Sequence, residues 1–355
     1  MADRAKLKIL QVCSASQAIY GAVQSLLVLA RAQRAAGHTV EFLTFKCKQF
    51  GDQVREEGFV VHEVAVRTKI DPLAILRMRR VMKLGKFDIV HTHLSTSSVN
   101  GCLAARAAGL PSVATVHGMS SKISFAAATH MISVSNEIKR HLVSQGAKPE
   151  TISVVYNGYG LIDEPQLDRL ERDPFPVLGT VARVTPLKGI EDAIRALAVL
   201  KPEFPDASYL VVGDGNGLEP CRTLATGLGL ADSVHFVGYR KDIENYLARM
   251  DLFVFPSLKE GMGIALVEAM AQGLATVATN IGGIPEVITP ECGTLVPPHD
   301  PAELALQISK LLLDNSKREE MGRCAKRRAQ AVFSVAAMEK GTDNVYRAVL
   351  AAIPN

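Results

Sequence analysis

Glu260 and Glu268, with seven residues between them, flank a glycine turn that follows a short apolar run. The run Leu252-Phe253-Val254-Phe255 ends at Pro256-Ser257, and a helical pattern begins near Ile264. Gly261 and Gly263 carry no Cβ, so the chain there can approach a ligand closely. The first N–H groups of the following helix have no intrahelical partner and favour an anion such as a phosphate. Glu268 lies inside that helix and Glu260 just ahead of it, so both carboxylates can face one cleft and accept hydrogen bonds from hydroxyls. Amides for a phosphate beside carboxylates for hydroxyls suit a nucleotide sugar.

Other chemistry gathers where strands are expected to end. In Ala182-Arg183-Val184-Thr185-Pro186-Leu187-Lys188-Gly189, two cations stand beside a glycine that opens a helix. Arg183 and Lys188 would pair well with a diphosphate, and plain surface charge is their alternative. The turn Gly213-Asp214-Gly215 is a weak signal, because such turns often only reverse the chain. Gly238-Tyr239-Arg240 offers backbone groups to a nucleobase. The glycines of Asn280-Ile281-Gly282-Gly283 would let the chain pass close to a phosphate or to the opposite domain. His117, before Gly118 at a strand end, divides evenly between a functional and a structural role. His91-Thr92-His93 looks metal-like, but strand residues alternate sides and no third ligand is obvious, which favours structure or acceptor contacts. No Asp-x-Asp triplet stands ready for a divalent cation. No metal is expected, and charge neutralisation falls to Arg183, Lys188 and helix N-termini.

The elements that must position these residues alternate throughout. In the first half, apolar runs at Lys8–Cys13, His38–Thr44, Phe59–Val64, Ile89–His93, Ser112–His117 and Met131–Ser135 are separated mostly by helical segments. Tyr20-Gly21-Ala22 reads as a turn before a helix from Val23 to Ala36. A Pro-rich, charged stretch at 163–176 interrupts the pattern. The grammar then restarts with a strand at Val177–Ala182 and a helix at Gly189–Leu200, followed by strands at Ser208–Val212, Val234–Val237, Leu252–Phe255 and Ala275–Ala278. Such alternation implies parallel sheets covered on both faces. The expected fold is α/β, with two doubly wound Rossmann-like domains facing across a cleft and ligands at the carboxyl ends of the strands. The division expected is 1–170, 171–332 and a closing segment, 333–355.

At 355 residues, two cores are the default. Six cysteines without CxxC spacing argue against zinc and disulfides and fit a reducing cytoplasm. No signal-peptide region and no membrane-length apolar stretch is apparent. The formal charge of +4 hides an asymmetry: residues 1–170 carry 21 Lys and Arg against 13 Asp and Glu. That basic half invites an anionic partner. Its sharpest segment holds Arg77, Arg79, Arg80, Lys83 and Lys86 after the cap Asp71-Pro72, with Leu73, Leu76, Val81 and Leu84 supplying apolar spacing. Either this is a solvated face with its apolar side on the core, or it docks to an anionic membrane surface. No aromatic platform or reader motif supports nucleic-acid binding.

Together these motifs resemble the retaining glycosyltransferases of family four, which have the two-domain GT-B fold, over nearly the whole chain. The resemblance rests on Gly21 and the helix to Gly37-His38, His117-Gly118, Val134-Ser135, Val155-Tyr156-Asn157-Gly158, Arg183 with Lys188-Gly189, Gly213, Phe236-Val237-Gly238, the paired glutamates, Gly282-Gly283 and Phe333-Ser334. It implies that Glu268 holds ribose hydroxyls and Glu260 those of the donor sugar. Amides at Gly261, Met262, Gly263 and Ile264 would meet sugar and phosphates, and Gly238, Tyr239 and Arg240 would flank the base. Arg183 and Lys188 would stabilise the leaving diphosphate, His117 would touch the donor sugar, and Gly21 would let the first domain close over the diphosphate. It also implies that the last helix returns to the first domain. The chain departs from the family at Ala22, where a second glycine is common, at Met262, where Phe is usual, and at Tyr159-Gly160, where no role transfers. The expectation is a metal-independent transferase taking a UDP-sugar or related donor to a glycan or lipid-linked acceptor in bacterial polysaccharide or lipopolysaccharide synthesis. It would be cytoplasmic or peripheral at the inner membrane face. A nucleotide-sugar epimerase of the same fold and a silent sugar-nucleotide-binding protein are the alternatives.

Overall fold

A computed structural model describes residues 5–15, 21–46, 48–160 and 175–352. The chain divides into two compact units: Met1–Gly160 with Val335–Asn355, and Leu161–Ser334. The join expected near residue 170 lies outside the described residues.

The first unit runs β1 (Lys8–Cys13), α1 (Gly21–Ala35), β2 (Thr39–Phe45), α2 (Lys48–Glu56), β3 (Val60–Val64), α3 (Pro72–Gly85), β4 (Ile89–His93), α4 (Ser95–Ala108), β5 (Ser112–Val116), β6 (His130–Ser133), α5 (Asn136–Ser144) and β7 (Ile152–Val154). Its seven strands are all parallel, in the order β3-β2-β1-β4-β5-β6-β7. The second unit runs β8 (Val177–Val181), α6 (Ile190–Leu200), β9 (Ser208–Val212), α7 (Leu218–Gly227), β10 (Val234–Gly238), α8 (Ile243–Leu247), β11 (Leu252–Phe255), α9 (Ile264–Ala271), β12 (Thr276–Thr279), α10 (Ile284–Val287), β13 (Thr294–Val296), α11 (Pro301–Leu313) and α12 (Asn315–Val332). Six parallel strands follow the order β10-β9-β8-β11-β12-β13. The last helix, α13 (Val335–Ala351), packs beside α1 in the first unit.

Both sheets are doubly wound, as the alternating pattern predicts. Their central strands read as unbroken apolar runs because helices cover both faces; β11, for example, is buried at all four residues. Each order reverses direction once, between β1 and β4 and between β8 and β11. At such a switch point the loops leave in opposite directions and open a crevice at the strand ends. Gly21 and Ala22 differ from expectation, since both lie within α1; Tyr20 lies outside the described residues.

Local signals set the helix ends. Asp71 caps α3, accepting from the Ala74 N–H at 3.1 Å, with Pro72 at the first helical position. Ser135 caps α5 in the same way through the Ile138 N–H. The face that α3 buries is another matter. Ala74, Met78 and Met82 are buried, while Leu73, Leu76 and Leu84 are 61%, 59% and 73% exposed. The leucines therefore do not form the core-facing side that the sequence offered. The smaller Ala74 lets α3 approach α4, where Arg79 Nε donates to the Ala107 carbonyl at 2.9 Å.

Candidate active site

The second unit gathers its charged residues at the β8/β11 switch point. Arg183 follows β8, and the 3₁₀ turn Pro186–Lys188 leads to Gly189, which precedes α6. Glu260 follows β11, before Gly263 and α9. The loops between are held by backbone bonds: Val184 N–H to Asp214 C=O at 3.0 Å, Gly217 N–H to Val184 C=O at 3.0 Å, and Leu258 N–H to Leu187 C=O at 2.8 Å. Glycine is required at these crossings. A Cβ on Gly189 would lie 1.9 Å from the Pro256 carbonyl oxygen, and one on Gly282 would lie 2.0 Å from that of Glu260. Both also have positive φ. Gly282 thus serves a crossing inside the second unit, carrying the β12 loop over the backbone of Glu260. Gly213 is likewise more than a chain reversal, since its Cβ would meet the Ala182 carbonyl.

These crossings bring Lys188 Nζ to 2.5 Å from Glu260 Oε2, with the two side chains 23% and 16% exposed. The ammonium also stands 5.9 Å from the Phe255 ring centroid. Helix α9 has no side-chain cap. The N–H groups of its first turn, from Ile264 on, therefore lack intrahelical partners beside the ion pair. Met262 is buried, so only its backbone can meet a ligand. Gly263 has φ +93°, and a Cβ there would press on the Phe255 ring at 3.1 Å.

Glu268 sits one turn into α9. Burial pushes its carboxyl up to about 7, and the charge of Glu244 on α8 adds to the shift. Glu244 carried no signal in the sequence, because its helix spans only five residues. Tyr239 is exposed after β10, and Gly238 has φ +74° with open space where a Cβ would stand. Arg240 turns its Nε to the Tyr246 hydroxyl at 2.6 Å. Arg183 is exposed.

In the first unit His117 follows β5 and lines a small cavity, about 10 Å³, with Ser25, His93, Thr115, Asn157 and Met338. His91 and His93, two residues apart, share a face of β4, with ring centroids 4.2 Å apart, and His117 stacks 5.5 Å from His93. The alternation used to set His91 and His93 aside separates each only from Thr92. Their nitrogens are taken up all the same: His91 bonds Tyr346 and Thr115, and His93 bonds Gln11 and His117. Among the described residues no group of three or more His, Cys, Asp and Glu side chains could hold a metal ion. Burial keeps all three imidazoles neutral, with His91 lowered to about 3, His117 to about 4 and His93 well below its ordinary value. Gln11, Gln33 and Tyr346 were missed from sequence, and Asn157 was noted only within the family resemblance. A glutamine inside the run Ile9-Leu10-Gln11-Val12-Cys13 was the available signal.

Two family models cover most of the chain: glycosyltransferase family 4 over residues 19–161 and glycosyl transferases group 1 over residues 165–328. The mannosyltransferase "MMP alpha-(1->4)-mannosyltransferase" of Mycolicibacterium hassiacum is 30% identical over 315 residues, 78% of this chain and 75% of that one. The chain belongs to glycosyltransferase family four. An Escherichia coli relative of this family, "UDP-Gal:alpha-D-GlcNAc-diphosphoundecaprenol alpha-1,3-galactosyltransferase", is 33% identical over 244 residues, and the match spans 63% of its length. A GDP-mannose-dependent relative from Corynebacterium glutamicum is matched over 47% of its length. Anabaena HepE in complex with UDP superposes with a TM-score of 0.85 over 96% of this chain and all of that one, at 23% identity. The fold is the two-Rossmann-domain GT-B fold. Arg183, Arg240 and Glu260 lie in the segments after β8, β10 and β11, Lys188 lies in the turn before α6, and Glu268 lies within α9.

Proposed function

We propose that the protein is a retaining glycosyltransferase that moves a hexose-type sugar from a nucleotide diphosphate sugar to a hydroxyl of a glycan or lipid-linked acceptor. Its place would be bacterial cell-surface polysaccharide or lipopolysaccharide synthesis. The observation that carries this reading is the Lys188–Glu260 pair beside the uncapped N-terminus of α9. It sets a cation and free amides next to a carboxylate that can accept from sugar hydroxyls. UDP is the nucleotide favoured, because UDP is named for the Escherichia coli relative and for the Anabaena neighbour.

Roles follow from chemistry. Arg183 and Lys188 neutralise the diphosphate as charge builds on it, with the amides of the Gly261, Met262 and Gly263 turn and of Ile264 at the start of α9 adding fixed dipoles. Two cations and a helix N-terminus match the diphosphate charge, so no metal cofactor is required. Glu268 accepts from the ribose hydroxyls, Glu260 from a donor-sugar hydroxyl, and Gly238, Tyr239 and Arg240 flank the base. His117 and Gly21 are the donor contacts of the first unit. In retention the acceptor hydroxyl attacks the anomeric carbon on the face the diphosphate leaves. The bond from that carbon to phosphate oxygen breaks, the glycosidic bond forms, and the hydroxyl proton passes to the departing phosphate oxygen.

The exposed stripe on α3 supports an acceptor presented at an anionic bilayer. Leu73, Arg77, Arg80 and Leu84 follow one another at helical spacing, flanked by Leu76 and Lys83, and all six are exposed. Such a face combines apolar insertion with attraction to acidic headgroups. Arg79 is held at the end of α4 and belongs to a different side, and Lys86 ends the helix at φ 51°. No helix among the described residues is long and apolar enough to cross a membrane.

The test is a thermal-shift comparison of UDP-, GDP- and ADP-sugars, with and without EDTA. A ligand that binds only the folded state raises the melting temperature. Stabilisation by one nucleotide family, unchanged by EDTA, is expected. No response to any donor would count against the reading.

A further inference from the structure

We infer that Tyr346, on the last helix, fixes the tautomer of His117 through a chain of buried side chains, so that His117 presents a bare Nδ1 lone pair to a hydroxyl donor. The inference rests on the sugar contact proposed above for His117.

From Tyr346 the chain runs two ways, to His91 and Thr115 and, through Gln33, Gln11 and His93, to His117. Gln33 Nε2 donates to the Tyr346 hydroxyl oxygen at 3.1 Å, which leaves the hydroxyl proton for His91 Nδ1 at 2.6 Å. A neutral imidazole holds one proton, so His91 carries it on Nε2 and donates to Thr115 Oγ1 at 2.7 Å. Gln11 Nε2 donates to Gln33 Oε1 at 2.8 Å, which turns Gln11 Oε1 toward His93 Nε2 at 2.9 Å. That nitrogen therefore bears the proton of His93, and His93 Nδ1 accepts from His117 Nε2 at 3.2 Å. His117 Nδ1 is left as an acceptor. It is the buried nitrogen of His117 for which no hydrogen-bond partner exists among the described residues.

Reversing both glutamine amides would reverse every step and leave an N–H at His117 Nδ1. A buried N–H without an acceptor is rarer and costlier than an unfilled lone pair, which favours the polarity described. The unfilled lone pair, on a nitrogen that is covered in the ligand-free protein, asks for a donor, and the hydroxyl of a sugar that displaces this cover is one. Tyr346 touches no substrate in this scheme; it is a positioning residue, 255 positions from His91 in the chain.

The test is a two-bond ¹H–¹⁵N correlation spectrum of the full-length, ¹⁵N-histidine-labelled protein at pH 7 without ligand, with His117 assigned by loss of its signals in His117→Gln. Wild-type protein is expected to show His117 protonated at Nε2 and bare at Nδ1. A proton on Nδ1 would overturn the inference. Tyr346→Phe removes only the hydroxyl, and its melting curve reports folding separately. It is expected to convert the single His117 tautomer to a mixture. A folded Tyr346→Phe variant with the wild-type His117 pattern would remove Tyr346 from the role. Because the spectrum is taken without donor, failure of the tautomer assignment and failure of donor binding are read independently.

Discussion

Lys188 Nζ and Glu260 Oε2 lie 2.5 Å apart although 72 positions separate them in the chain. Each belongs to the loop after a different strand, β8 and β11, at the point where the order of the second sheet reverses. In the ligand-free protein the carboxylate holds the ammonium in place. When a diphosphate arrives, Lys188 has three donor hydrogens and can share them between both anions.

Removing the cation should therefore slow transfer more than it weakens folding. Lys188→Met is expected to lower kcat by about 10²–10³-fold, the range seen when one preorganised donor is lost. Glu260→Gln should raise donor KM and free Lys188 to move. A double-mutant cycle on turnover should be clearly non-additive, since each residue positions the other. Additive losses would separate the two roles.

Glu268 gives a pH signature. Its carboxyl, raised to about 7 by burial and by Glu244, is largely protonated at pH 6 and ionised at pH 8. Binding of a UDP-sugar, whose diphosphate does not titrate in this range, should tighten from pH 6 to pH 8. Glu244→Gln should move the midpoint down. Calorimetric titrations at several pH values would show it, and a flat profile would detach Glu268 from the ribose.

The same carboxyl affects stability with the opposite sign. Its folded-state value lies above the ordinary 4.5, so the native state holds the proton more tightly and stability falls as pH rises from 4.5 to about 7. Glu268→Gln should then be more stable than wild type at pH 8, by at most about 3 kcal/mol for a side chain only partly covered. At pH 4 the difference should vanish. Denaturant midpoints at both pH values measure it.

Gly282→Ala tests the crossing beneath Glu260. A Cβ would lie 2.0 Å from the Glu260 carbonyl oxygen at a backbone with φ +53°. The loop must shift, with a stability loss of about 1–3 kcal/mol expected for such strain and a marked rise in donor KM. A variant with wild-type KM would mean that the crossing does not position Glu260.

The α3 stripe makes a separate prediction. Arg77, Arg80 and Lys83 are exposed, so reversing them to Glu should leave the melting temperature unchanged. Sedimentation with phosphatidylglycerol vesicles should drop by about 10²-fold or more, at roughly 1 kcal/mol per basic residue near an acidic surface. Leu73→Ser with Leu76→Ser should weaken it further. Equal sedimentation of all variants would exclude this face.

Alternating apolar runs and glycine-bounded helices determined the two parallel sheets, because burial on both faces leaves a readable composition along the chain. The spacing of Glu260, Gly261, Gly263 and Glu268 likewise marked a strand end, a turn and a helix start, all local events. Strand order was not legible, so neither was the switch point that sets Glu260 beside Lys188. Periodicity offered Leu73, Leu76, Val81 and Leu84 as the apolar side of α3, whereas the folded chain, with α3 packed on α4, buries Ala74, Met78 and Met82. The shift of Glu268 needed its burial, with Glu244 adding to it, and the state of His117 needed Tyr346. Local sequence determines which groups are available, whereas their partners, burial and proton positions depend on residues that only the folded chain brings within a few ångströms.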